Sequence, residues 1–169
     1  DATVVNVALG RIGDDLDAGF SGLQWTINAY TLTLAGLILL GGSLGDRFGR
    51  RRVFLVGVVW FAIASLLCGI APDINTLIAA RGLQGVGGAL LTPGSLAIIA
   101  ASFHDESRAA AVGAWSGLGG IAAAVGPLVG GWLVEWHWRL VFLINVPLAV
   151  LVVVVALRHV PETRDPDAA

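Results

Sequence analysis

The stretch Gly42–Arg52 reads G-S-L-G-D-R-F-G-R-R-R and holds four of the ten basic residues of the chain, Arg47, Arg50, Arg51 and Arg52. On each side lies an apolar run of about twenty residues, the length that crosses a bilayer core. A short cationic connection between two such spans is expected on the cytoplasmic side, and that placement sets the direction of every other span. Gly45 and Gly49 permit a tight turn and a close backbone approach. Asp46, near the end of the preceding span, can accept hydrogen bonds from a basic side chain or a helix N-terminus.

Composition supports the same reading. The 169 residues are 56% hydrophobic and 13% charged, with a mean hydropathy of +0.82, whereas soluble domains are about one-quarter charged. The chain reads as a polytopic membrane protein that sits in the lipid bilayer. Its net charge of −2 is spread without a basic patch outside the connections, so nucleic acid is not an expected partner. The one cysteine, Cys68, lies in an apolar run and reads as a packing residue. Every basic residue is arginine, which points to a GC-rich bacterial genome. The chain opens at Asp1 on a short apolar piece and has no methionine, so a fragment with a truncated first helix is expected.

Six spans are expected, at about 1–12, 23–44, 53–70, 76–102, 109–134 and 139–157, with 158–169 as a polar tail that begins a cytoplasmic connector. The connections on the side of the basic turn add Arg108, Arg158 and Arg164. Those on the other side hold Arg11 and Arg139 against Asp14, Asp15, Asp17, Asp73 and Glu135, a bias that follows the positive-inside rule. Trp25, Trp132, Trp136 and Trp138 fall near the outer span ends, where interfacial aromatics sit.

Within the spans, Arg81 stands out. A cation at a helix centre costs about 2.5–3.5 kcal/mol on insertion scales; nearer an end it can snorkel to the interface at lower cost. Arg81, Gly85, Gly88 and Thr92 share one helical face, with Gln84 beside it, and that polar, small face suits a water-filled cavity or a close helix contact. Ala122, Gly126 and Gly130 recur every fourth residue, a stripe that lets two backbones approach, and Pro127 removes a donor and can bend the helix. Asp1 is a carboxylate at the head of a span and thus a candidate to bind a proton or face a cationic substrate. His104, His137 and His159 lack metal-ligand spacing. No phosphate loop or catalytic triad is present, so neither an enzyme nor a metal or cofactor is expected.

Four patterns resemble the major facilitator superfamily. The pattern G-x-x-x-D-R-x-G-R-R, carried by Gly42, Asp46, Arg47, Gly49, Arg50 and Arg51, is similar to the loop between helices 2 and 3 called motif A. Arg81, Gln84, Gly85 and Gly87 form R-x-x-Q-G-x-G, which resembles motif B, whose arginine is associated with proton coupling. G-P-L-V-G-G over Gly126–Gly131, with Pro127, Gly130 and Gly131, resembles motif C of the antiporter branches, with Ala122 in place of the usual leading glycine. D-A-T-V-V-N-V-A-L at Asp1–Leu9 resembles the first-helix motif of the fourteen-helix drug:proton antiporter family, with Gly10 where a proline is usual. Trp25, Asn28 and Tyr30, and W-R-L-V-F-L-I-N-V-P at Trp138–Pro147, fit the same family.

The resemblance implies an all-α membrane protein, the N-terminal six-helix half of a major facilitator fold built as two inverted three-helix repeats. The missing C-terminal half of the same chain would complete the substrate path. The implied function is proton-coupled efflux of small amphipathic or cationic compounds such as drugs, across a bacterial cytoplasmic membrane, with no ATP or metal. Protons and a small-molecule substrate are the implied partners. Asp1 and Arg81 would couple the proton. Gly42, Asp46, Arg47, Gly49 and Arg50 would form the cytoplasmic gate. Ala122, Gly126, Pro127, Gly130 and Gly131 would shape the pivot, and Asn28, Thr31 and Thr92 are candidates for the substrate path. Two other readings stay open: an importer or uniporter of sugars or metabolites, against which G-P-x-x-G-G argues, and a non-transporting membrane scaffold or sensor.

Overall fold

The structure, a computed structural model, describes residues 2–103 and 105–163. Asp1, His104 and Arg164 lie outside the described residues. The helices are α1 (Ala2–Asp15), α2 (Phe20–Phe48), α3 (Arg50–Gly69), α4 (Ile74–Ser102), α5 (Asp105–Trp136), α6 (Leu140–Leu143) and α7 (Asn145–His159). No strand occurs among the described residues. Helices α2, α3, α4 and α5, and α6 with α7 taken as one path, are each long and apolar enough to cross a bilayer.

The basic turn is tighter than its sequence predicts. Gly42–Phe48 continues α2 and Arg50–Arg52 already belongs to α3, so Gly49 alone breaks the helix. Arginine is a good helix former and charge does not stop a helix. The break needs φ +110° at Gly49, a region that side chains rarely enter, and its N–H still donates to the Gly45 carbonyl at 3.0 Å. Several other span ends also run past the expected ones, two of them for evident local reasons. At the start of α4, the Asp73 carboxylate accepts from the Thr76 N–H at 2.9 Å and its hydroxyl at 2.8 Å, an N-cap that draws the helix back to Ile74. Those two bonds hold the Asp73 carboxyl below its ordinary pKa, the backbone N–H contributing most. In α1 the helix persists through Asp15 and the chain turns at Asp17, whose φ of 47° is one that aspartate tolerates.

The sixth span is two helices rather than one. Pro147 has no N–H for the Leu143 carbonyl, and the helix divides at Ile144, whose own backbone stays helical at φ −59°, ψ −27°. The path is therefore nearly continuous, with Asn145 at the division.

Helix α4 packs between α2 and α3, α5 packs on α1, and α7 packs on α3. Pro93 explains how α2 comes so near. It leaves the Ala89 carbonyl without its helix donor, and a Cβ on Gly41 would fall 2.0 Å from that oxygen. Only a glycine on α2 admits this approach. The apolar core collects near the end where α1 finishes and α4 begins, joining Val5, Ile12, Cys68, Leu77, Val141 and Phe142. Trp138 belongs to this core at 3% exposure, which corrects its reading as an interfacial anchor.

Candidate functional site

Arg81 lies seven residues into α4, about 10 Å from its start, yet it is 1% exposed. Its head does not snorkel. Nε donates to the Thr26 carbonyl of α2 at 3.1 Å, and Nη1 donates to the Gln84 side-chain oxygen. The guanidinium lies over the Tyr30 ring at 4.3 Å and the Phe142 ring at 5.9 Å, contacts in which a ring face attracts a cation. Gln84 uses its other end as well: Nε2 donates to Ser65 Oγ on α3 at 2.7 Å. Asn145 Nδ2, at the division of the sixth span, donates to the same hydroxyl at 3.3 Å. The Cys68 thiol points at the Gln84 oxygen from 3.9 Å.

The buried polar and charged side chains among the described residues are Thr26, Ser65, Arg81 and Gln84; the last three meet here through their side chains, and Thr26 joins through its backbone carbonyl while its hydroxyl donates to the Gly22 carbonyl of its own helix. A partly satisfied polar network is costly where no water reaches it; this one ties α2, α3, α4 and α7 together through donors and acceptors that match. Sequence reasoning found Arg81 and Gln84 but missed Ser65 and Asn145. The available signal was a polar side chain inside each of two otherwise apolar spans.

The small-residue face next to Arg81 is a helix contact, not a water-filled cavity. Gly85 abuts the Tyr30 carbonyl and Thr33, Gly88 abuts Leu34, and Gly87 on the other side abuts the Phe61 backbone. Asn28 and Thr92 are half-buried and Thr31 is exposed. The Thr31 hydroxyl donates to the Ile27 carbonyl of its own helix at 3.1 Å.

At the basic end, Asp46 finds its cation within this chain. Its carboxylate accepts from Arg50 Nε at 2.9 Å and Nη2 at 2.8 Å, across the Gly49 break. Arg47 lies over the Phe48 ring at 5.6 Å, and Gly42 faces Pro93 across an ordinary contact. The described part of the segment after α7, read from the sequence as a polar tail, docks on the start of α3. Arg51 Nη1 donates to the Val160 carbonyl at 2.8 Å, the Arg51 N–H to Glu162 Oε1 at 3.1 Å, and the Arg50 N–H to the Thr163 carbonyl at 2.8 Å. Arg51 and Arg52 also stand 3.8 and 3.6 Å from Glu162 Oε2. The free N–H groups and positive dipole of a helix start favour such an acid. The signal for Glu162 was an acid beyond the last span, at the end that carries the arginines.

The stripe on α5 meets α1 at two of its three positions. A Cβ on Gly126 would come 2.7 Å from Thr3 Oγ1, and one on Gly130 would come 2.9 Å from Val4 Cγ1 and 3.2 Å from Val4 Cα. Ala122 is exposed and Gly131 faces open space, so these two stand outside the contact. Pro127 lies within α5, which continues past it.

At the opposite end, an arrangement unseen in the sequence closes the bundle. Asp15 Oδ2 accepts from the Trp138 indole at 2.8 Å and from Arg139 Nη1 at 3.0 Å. Arg139 Nη2 donates to the Ala71 carbonyl at 2.9 Å, and its guanidinium stacks 4.4 Å from the Trp138 ring centre. The indole first, then the guanidinium, hold the Asp15 carboxyl below the usual carboxylate range. One arginine thereby joins α1, the α3–α4 connection and the start of α6. Among the described residues, no group of histidine, cysteine and carboxylate side chains could hold a metal ion.

The family model described as Major Facilitator Superfamily matches residues 1–169. The chain is 46% identical over 166 residues to the puromycin resistance protein pur8 of Streptomyces alboniger, covering 97% of this chain and 33% of that one. It is 43% identical over 169 residues to the multidrug efflux pump LfrA of Mycolicibacterium smegmatis, covering 99% and 34%. It is 41% identical over 165 residues to the multidrug resistance protein Stp of Mycobacterium tuberculosis, covering 96% and 31%. The chain thus spans about a third of the length of these curated relatives. A crystal structure of a point mutant of the peptide transporter POT in complex with sulfate superposes with a TM-score of 0.76 at 19% identity, over 93% of this chain and 36% of that one. That likeness concerns the fold: this chain matches an N-terminal fragment of such a fold, with five helical paths long and apolar enough to span a bilayer and the shorter α1 before them.

Proposed function

Because the chain belongs to the Major Facilitator Superfamily, we propose that it forms the N-terminal bundle of a proton-driven exporter of small amphipathic or cationic compounds. The names of its relatives, resistance proteins and an efflux pump, support the direction and the substrate class. The observation that carries the reading is Arg81, a permanent cation at 1% exposure inside an apolar span. Burying such a charge is expensive, and hydrogen bonds to the Thr26 carbonyl and the Gln84 side-chain oxygen help to hold it in place.

Arginine does not lose its proton in proteins, so it acts on a proton carrier rather than as one. A cation within several ångströms favours the ionised form of a carboxylate. Asp1 at the head of the first span, or an acid in the rest of the protein, is the carrier; the substrate path passes Asn28, Thr31 and Thr92. The end bearing Arg47–Arg52 faces the cytoplasm, where Asp46, Arg47 and Arg50 with the Gly49 turn act as a gate. The α5 stripe at Gly126 and Gly130, with Pro127 between, is the pivot.

The test uses the complete transporter in vesicles, with efflux followed across external pH and normalised to protein in the membrane. Arg81→Ala abolishes gradient-driven efflux and moves its pH dependence upward. Arg81→Lys keeps the charge, loses the planar fork and retains part of the rate. Full activity of Arg81→Ala with an unshifted profile removes Arg81 from the mechanism.

A further inference from the structure

A groove of about 410 Å³ runs between α3 and α7, walled by Val56, Val59, Trp60 and Ile63 on one side and by Val153 and Leu157 on the other. The Trp60 N–H is already given to the Leu83 carbonyl at 2.8 Å, so the ring presents only hydrocarbon to the groove. Arg52, Val56, Val59 and Ile63 follow one another at intervals of four, three and four residues and therefore share one face of α3. The apolar part, Val56 to Ile63, spans seven residue steps, about 10 Å of helix, which fits within one leaflet of a hydrocarbon core about 30 Å thick.

The end of the groove is cationic. The Arg52 side chain is 73% exposed, and α7 finishes with Arg158 and His159, both exposed. The two helix ends are neighbours, because Arg51 and Arg52 both reach Glu162, four residues beyond Arg158. Around them stand Arg47, Arg50, Arg51, Arg52 and Arg158 against Asp46 and Glu162, and Asp46 is held by Arg50. A cationic rim over an apolar slot that fits within one leaflet matches a molecule with a negative head and a hydrocarbon tail.

We propose that this groove binds an anionic phospholipid, its acyl chain along Val56–Ile63 and its phosphate on Arg52 and Arg158. The groove lies between α3 and α7 and is not lined by Arg81 or its partners, so the proposal is independent of what the protein carries and of the role of Arg81. An anionic headgroup gains about a fivefold preference from each arginine near the surface.

The experiment is native mass spectrometry of the complete transporter, delipidated and titrated with phosphatidylglycerol or phosphatidylcholine of matched chains. Retention of phosphatidylglycerol at severalfold higher occupancy is expected. That preference falls to the phosphatidylcholine level in Arg52→Gln/Arg158→Gln, returns in Arg52→Lys/Arg158→Lys, and is untouched by excess inorganic phosphate. Filling the slot with Val56→Trp lowers the retention of both lipids. Equal retention of the two lipids by the unaltered protein overturns the site, as does a double glutamine variant that keeps the preference. A groove closed by the remainder of the transporter or by a second copy gives no retained lipid, and also overturns it. Efflux is not measured, so the outcome stands apart from the transport reading.

Discussion

Alanine scanning of three glycines in α5 separates geometry from chemistry, because the substitution is the same while the surroundings differ. At Gly130 the added carbon would come 2.9 Å from Val4 Cγ1, 3.2 Å from Val4 Cα and 3.3 Å from the Val4 carbonyl oxygen. Two of those atoms are backbone, so no rotamer change relieves them. Restoring an ordinary separation of about 3.5–4.0 Å requires α1 to move by roughly 0.5 Å or more. Such overpacking typically costs about 1–3 kcal/mol. At Gly126 the clash is with Thr3 Oγ1 at 2.7 Å, the end of a side chain that can rotate, so the cost falls at or below the lower end of that range. At Gly131 nothing lies within 4 Å, and alanine gains up to about 1 kcal/mol of helix preference over glycine. Thermal unfolding of the solubilised complete transporter is the assay. The expected order of melting temperature is Gly131→Ala at or above the unaltered protein, then Gly126→Ala, then Gly130→Ala. If Gly131→Ala destabilises as much as Gly130→Ala, α5 does not meet α1 along this face.

Orientation is tested by Arg51→Cys in a Cys68→Ser background: a membrane-impermeant thiol reagent added to intact cells leaves it unlabelled, and ready labelling reverses the topology. At the proposed gate, Asp46→Asn removes an ion pair that is partly exposed, so insertion stays normal while efflux slows severalfold; an unchanged rate at equal expression rejects the role. Glu162→Gln keeps the shape of the side chain but weakens its hold on Arg51 and Arg52, and protease cleavage after Arg158 becomes faster, whereas equal cleavage rates show that the segment is held by its backbone bonds alone. The Asp15 carboxyl is held below its unfolded pKa. Its contribution is therefore present above the unfolded value and is lost as pH falls through the lower folded one. Asp15→Asn flattens the acid limb of the stability profile, and an unaltered limb assigns that loss to other groups.

The spans were legible because a bilayer imposes its own length: uninterrupted apolar runs between charged connections define them. Arg81 was legible as an anomaly within such a run. The span ends were harder, since Arg50–Arg52 and Asp105–Arg108 are as compatible with a first helical turn as with a loop, and only tertiary partners decide. Asp15 meets Trp138 and Arg139 from more than a hundred positions away, a pairing that no local pattern carries. Ser65 and Asn145 were invisible for a related reason: one polar side chain in an apolar span acquires meaning only when Gln84 is placed against it. Asp46 drew attention as an acid beside arginines, able to accept from a neighbouring basic side chain, and Arg50, one turn further along, is such a partner.

Arg81 grips α2 by the carbonyl oxygen of Thr26, an atom that every amino acid supplies. The bond is therefore blind to the identity of residue 26, provided the side chain there stays small enough for its fully enclosed position. Replacing Thr26 with serine, alanine or valine leaves the acceptor where it is, while a change at Arg81 to a side chain without a donor removes the bond. Tolerance measured at the two ends of one hydrogen bond is thus lopsided, and a mutational map of α2 would pass over position 26 as unremarkable although the helix is fastened there.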